Sequence, residues 1–191
     1  MQHHLTPWMI ESAYRYWDAA KHLLTGHDMM AVAQVNAAIG MEILLKSFVA
    51  RPNGNHGQVN ETYDLDPTLI NDAHRELQRA GKIAADRNRA DKHDLLTLFH
   101  AVPADIRARL RFDQEEEWIE RYRNVFTNAR YPYEASSPGG YDDMLIYILG
   151  QMIERVVIWY REQGCRDVFI VCYGMTPADF QSKAGNEPEP S

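Results

Sequence analysis

The segment from Met29 to Ala50 sets the terms on which this chain can fold. Val32, Val35, Ile39, Ile43 and Leu44 recur at helical spacing and form one apolar stripe. Ala33, Ala37, Ala38 and Gly40 keep the same helix thin, so a neighbouring helix can approach closely. Glu42 stands four residues before Lys46, the favourable order for a helical ion pair. Arg51-Pro52-Asn53-Gly54 then stops the helix.

Other segments repeat the pattern. Thr6-Pro7 opens a first helix, with Trp8, Ile10, Ala13, Trp17, Ala20 and Leu24 on one face and Gly26 as its C-cap. Residues 52–65 read as a loop. Asp66-Pro67 starts a helix carrying Leu69, Ile70, Ala73 and Leu77. The polar stretch from Asp86 to Asp91 is arginine-rich and is expected to be exposed. A short helix begins at His93-Asp94-Leu95-Leu96 and ends before Pro103, another covers Ala104 to Leu110, and a longer one runs from Gln114 to Asn128. Asp142 to Gln163 is the last long helix, with Leu145, Ile148, Leu149, Met152, Ile153, Val156 and Val157 as its core face. Val168 to Tyr173 is β-prone; it must pair with another chain, lie as a buried extended segment, or extend as a helix. Thr176-Pro177-Ala178-Asp179 is one more start signal, and the polar end from Gln181 to Ser191 is expected to be disordered.

Composition narrows the function classes. The 191 residues suffice for one ordinary domain. A net charge of −7, from 20 Lys+Arg against 27 Asp+Glu, argues against non-specific coating of nucleic acid. It leaves room for a local basic site, and Arg107, Arg109, Arg111, Arg121, Arg123 and Arg130 cluster in one third of the chain. No stretch approaches the roughly 18 apolar residues of a membrane span. The start, Met1-Gln2-His3-His4, lacks a basic and then apolar run, so no signal peptide is expected. With Cys165 and Cys172 the only cysteines, a reduced, cytoplasmic protein is expected. Neither a zinc-type His/Cys spacing nor a GxxxxGK[ST], GxGxxG or GxSxG motif is present, and no metal or cofactor is expected.

Three segments, in order, resemble the HEPN family of small helical bundles. They are Ala37-Ala38-Ile39-Gly40-Met41-Glu42-Ile43-Leu44-Leu45-Lys46-Ser47, then Lys92-His93-Asp94-Leu95-Leu96-Thr97-Leu98-Phe99, then Tyr122 through Glu134 with its Arg130-Tyr131-Pro132. The resemblance spans about residues 8–160 and implies a dimeric bundle. Many members resemble metal-independent ribonucleases, whose signature is an arginine, often a polar neighbour, and a histidine after four to six intervening residues. Here Arg123 and Asn124 match, and Asn128 stands where the histidine would be. An imidazole can accept or donate a proton near neutral pH; an amide only hydrogen-bonds. A second stretch, Arg87-Asn88 through His93, has the spacing but lies in a loop.

The same residues admit plainer readings. Arg123 and Asn128 equally form a polar stripe beside Glu120 and Arg121, Tyr131-Pro132-Tyr133 a packed helix stop, and His93-Asp94 a simple helix N-terminus. An inward Glu42 would want Arg123 or a similar cation. The reading adopted is an all-α, up-down, HEPN-like bundle over residues 1–175, with extra short helices and an extended C-terminal segment; 176–191 form a short capped turn and tail. Arg123, Asn124 and Asn128 are the expected catalytic positions, and Glu42, Lys46, His93, Arg130 and Tyr131 the expected ligand-binding ones. The expected partners are a second copy of the chain and RNA or a nucleotide, with weak or absent cleavage in a defence or toxin–antitoxin setting, and no membrane. Two rivals stand beside it: a non-catalytic protein-interaction or dimerisation module, and a bundle that binds a small metabolite between helices.

Overall fold

The computed structural model describes residues 4–55, 58, 60–128 and 140–176, the side chains of 127 and 128 excepted. The chain is mostly helical. Its elements are α1 (Pro7–Leu23), α2 (Met30–Lys46), β1 (Ala50–Gly54), β2 (Thr62–Leu65), α3 (Pro67–Arg79), α4 (Leu95–Ala101), α5 (Ala104–Arg109), a 3-10 turn (Phe112–Glu115), α6 (Glu116–Arg121), α7 (Val125–Asn128), α8 (Met144–Glu162) and α9 (Val168–Cys172).

Three long helices, α1, α2 and α8, pack on one another, and the small side chains of α2 make this possible. Ala33, Ala37 and Ala38 are fully buried. A Cβ at Gly40 would fall 2.7 Å from Leu149 Cδ2 and 3.1 Å from the Ala13 carbonyl oxygen. The seven apolar residues expected on the core face of α8 are all buried. A fully buried side chain of this kind contributes about 1.5–3 kcal/mol, so apolar packing outweighs the ion pairs in holding the bundle. The fourth long helix, α3, packs chiefly on α4, which in turn lies on α2 and α6.

Local signals act as the sequence suggests at some ends and otherwise at others. Asp66 caps α3, its Oδ1 accepting from Thr68 N at 2.9 Å. Thr6 precedes α1 but caps nothing. Its hydroxyl instead donates to the Ser47 carbonyl at 3.2 Å and lies 3.2 Å from the buried Tyr160 hydroxyl, tying the start of α1 to α2 and α8.

The structure corrects the sequence expectation in three places. First, α2 ends at Lys46, and the stretch expected to be a loop contains an antiparallel hairpin in which Ala50 pairs with Leu65 and Pro52 with Tyr63. Second, the helix expected over 114–128 is broken: a turn at 122–124 separates α6 from α7. Third, the expected extended C-terminal segment is helical over Val168–Cys172. An isolated strand would leave its backbone groups unpaired. As a helix, the segment starts on Asp167, whose Oδ1 accepts from Phe169 N at 2.9 Å. Its C-terminal carbonyls are met by Arg161 of α8, which donates to Ile170 O at 2.7 Å, Val171 O at 3.1 Å and Tyr173 O at 2.7 Å. The chain from 177 onward, with most of the expected turn and tail, lies outside the described residues.

Among the described residues, no helix is long and apolar enough to cross a membrane, and no group of three or more His, Cys, Asp or Glu could hold a metal ion.

Candidate functional site

Two adjacent residues at the start of α4 organise the site. Asp94 is the N-cap residue, and only 3% of its surface is exposed. Its Oδ2 accepts from Thr97 Oγ1 at 2.6 Å and from Arg123 Nη2 at 2.7 Å, and its Oδ1 accepts from Arg123 Nε at 3.0 Å. Arg123 Nη1 donates to the Lys82 carbonyl at 2.9 Å. The carbonyl of Arg123 also accepts from Leu95 N at 3.3 Å. The break between α6 and α7 lets this happen: it turns Arg123 inward while Tyr122 and Val125 on either side stay buried. A side-on guanidinium–carboxylate pair is among the stronger hydrogen-bonded arrangements, and here it joins the 122–124 turn to α4.

His93 points the other way, to α2. Its Nδ1 lies 3.0 Å from both oxygens of Glu42, whose Oε1 also accepts from Lys46 Nζ at 2.5 Å. A carboxylate only accepts, so Nδ1 carries the hydrogen and Nε2 is left as the acceptor of the neutral ring. The imidazole stacks on Phe126 of α7, with centroids 5.5 Å apart and planes at 24°. Half of its side chain, 51%, remains exposed. Ring orientation and tautomer are thus set together by α2 and α7.

The loop before His93 supplies positive charge. Arg87, Arg89 and Lys92 are exposed and pair with no carboxylate among the described residues. The loop is anchored from beneath: the Arg87 carbonyl accepts from His74 Nε2 and Gln78 Nε2, each at 2.9 Å. Asp91 Oδ1 accepts from His93 N at 2.9 Å and fixes the last bend. Lys82 differs from these cations, because Glu120 and Glu116 hold it at 2.7 and 3.2 Å. The hydrogen bond to Glu120 is the main reason its ammonium is pushed above the ordinary lysine range.

Of the residues expected from sequence, Glu42, Lys46 and His93 meet directly, and Arg123 lies one residue further along α4's start, on Asp94. Glu42 therefore finds its cation in Lys46 and a ring N–H in His93, and Arg123 finds its carboxylate in Asp94. Asn124 is exposed in the same turn as Arg123. Asn128 ends α7, with its side chain outside the described residues, as are Arg130 and Tyr131. Asp94 and Phe126 were not expected at the site. The adjacent His93-Asp94 pair is the signal that could have found Asp94, since neighbours at a helix start point apart and need separate partners. Compared with protein-family models, with curated proteins and with solved structures, the chain has no match.

Proposed function

We propose that this chain is a HEPN-like helical domain that binds the phosphate of RNA or of a nucleotide, as a homodimer, at the face built around His93. The observation that carries the reading is the His93 ring itself. It is held by Glu42, stacked on Phe126 and half-exposed, and it directly follows a loop bearing the exposed cations Arg87, Arg89 and Lys92. Cations attract phosphate, and a stacked aromatic pair offers a platform for a base. In this reading Arg123 positions the 122–124 turn and is committed to Asp94, so it is a poor receptor for a phosphorane. Weak or absent cleavage follows, because the amide of Asn128 cannot transfer a proton; any proton transfer falls to His93 Nε2.

The test is binding of labelled single-stranded RNA, without metal, over a salt series. Replacing Arg87, Arg89 and Lys92 together by Ala should weaken binding and flatten the slope of log affinity against log salt by about 2, at roughly 0.7 per phosphate contact. His93→Ala should weaken binding with little change of slope. Equal binding and equal cleavage by native and altered proteins would remove the proposal.

The rival reading, a protein-interaction module, draws on exposed apolar side chains, chiefly Val168 at 76% and Tyr147 at 61% exposed. A stable oligomer on a sizing column, with the absorbance ratio of clean protein, would favour it.

A further inference from the structure

A cleft of about 890 Å³ lies between the N-terminal half of α1, α9 and the side chains of Gln58 and Glu61 ahead of β2. It shares no lining residue with the His93 face. Its size is that of small-molecule sites, which run roughly 300–1,000 Å³.

Its walls are aromatic and its charge is negative. Trp8, Tyr14, Phe169 and Tyr173 line it. The last three rings pack as a triangle, with centroids 5.2, 5.6 and 5.7 Å apart. Burial pushes the hydroxyls of Tyr14 and Tyr173 up, so both remain neutral phenols that offer π-faces. Three carboxylates border the cleft, on Glu11, Glu61 and Asp167, against the Arg166 guanidinium and that of Arg15, which pairs with Glu11; Glu61 also accepts from the Tyr63 hydroxyl at 2.6 Å. Glu11 uses Oε1 for Arg15 at 2.6 Å, and Asp167 uses Oδ1 to cap α9. A carboxylate has about four acceptor sites, so both can accept more. The wall already takes a cation: the Arg15 guanidinium lies 5.2 Å over the Trp8 ring.

We infer that this cleft is a binding site for a small organic cation with an apolar body, an aryl- or alkylammonium. Aromatic faces attract such cations through the ring quadrupole, the remaining acceptor sites of Glu11 and Asp167 face the charge, and the apolar walls take the hydrocarbon. An anion would meet like charge. The inference is independent of the phosphate reading, which concerns a different face and the opposite ligand charge.

Titration calorimetry on the full chain tests it with three probes that share a phenyl group: benzyltrimethylammonium, benzyl alcohol and 3-phenylpropanoate. The ammonium should bind, and the other two at least about tenfold more weakly. Trp8→Ala should cost roughly 2- to 30-fold in affinity for the ammonium, the span of cation–π contributions. Glu11→Gln combined with Asp167→Asn should cost as much, and asparagine there still caps α9. Circular dichroism checks that each variant is folded. As a readout on the native chain, nuclear Overhauser effects should connect the N-methyl protons to the indole of Trp8. Equal binding of the three probes, no binding of the ammonium at millimolar concentration, or an affinity untouched by the double carboxylate change would overturn the inference.

Discussion

Arg123 lies side-on to Asp94, its Nε 3.0 Å from Oδ1 and its Nη2 2.7 Å from Oδ2. The carboxylate is 3% exposed and the guanidinium side chain 18%. With both ions largely removed from water, the cost of losing one partner is the cost of a lone buried charge, which exceeds the net worth of the pair.

Arg123→Ala should therefore lower unfolding stability by about 3–5 kcal/mol, the usual cost of breaking a buried pair. Arg123→Lys should recover part of this, since a point charge cannot reproduce the two parallel bonds. Replacing both Arg123 and Asp94 by Leu should cost less than Arg123→Ala alone. Urea unfolding measures all three. A double variant less stable than the single one would show that the pair itself, beyond its mutual neutralisation, supports the turn.

Helix contact through α2 predicts a second loss. In Gly40→Ala the new methyl would press on Leu149 Cδ2 and on the Ala13 carbonyl, and a backbone oxygen cannot step aside as a side chain can. Overpacking of this kind costs about 1–3 kcal/mol. Gly150→Ala should behave similarly, because its Cβ would fall 2.7 Å from Trp17 Nε1, which donates to the Ile146 carbonyl at 2.9 Å. An unchanged melting temperature in either variant would mean that the helices part without cost.

The His93 tautomer offers a third measurement. With Glu42 accepting from Nδ1, nitrogen chemical shifts of His93 should show a protonated Nδ1 and a bare Nε2 when the ring is neutral. In Glu42→Gln the carboxylate that enforces this is gone, and the ring should move toward the Nε2–H form. Identical nitrogen shifts in both proteins would mean that Phe126 stacking alone orients the imidazole.

Acid should weaken the fold in steps. Burial holds the His100 imidazole below its ordinary value of 6.5, against the pull of Glu116. The unfolded chain then binds more protons than the native one, so stability falls as pH drops below about 6.5. Burial would raise the Glu116 carboxyl, but the Lys82 hydrogen bond and the charge of His100 outweigh it and bring it below 4.5. Its contribution is present above that value and is lost as pH falls beneath it. Asp66, lowered chiefly by the Thr68 N–H, does the same below 3.8. His100→Gln should remove the first step, shrink that of Glu116 and leave that of Asp66; persistence of the full slope near pH 6 would assign it to another group.

Helices α1, α3 and α8 were legible in sequence because their burial follows a 3.6-residue repeat; in α2 the small residues Ala33, Ala37, Ala38 and Gly40 are buried, whereas Val32 of the apolar stripe is 46% exposed. The broken helix was not legible, because the same repeat runs through it. Trp118, Ile119, Tyr122, Val125 and Phe126 keep helical spacing straight through the turn, and Tyr122 and Val125 are buried on both sides of it. What breaks the helix is Arg123 reaching Asp94, a contact across 29 positions that no local pattern encodes. The β-prone run at 168–171 left a strand, a buried extended segment and a helix open, and the adopted extended segment followed propensity; the capping Asp167 and Arg161 decide for the helix. At the site, sequence joined Glu42 to Lys46 and left His93 and Arg123 as separate points. It also offered Arg123 to Glu42, because matching charges by sign cannot choose between two carboxylates and their basic neighbours.

The Arg161 side chain has a reach beyond its own helix. A five-residue helix is far too short to persist unaided, so beside the Asp167 cap and the buried Ile170, α9 leans on the guanidinium from α8 that covers its open end. Phe169 and Tyr173, which wall the cleft, thus owe part of their placement to a residue that does not line it. Any solute that competes for that guanidinium would unfasten the floor of the cleft from a distance, without touching the floor itself.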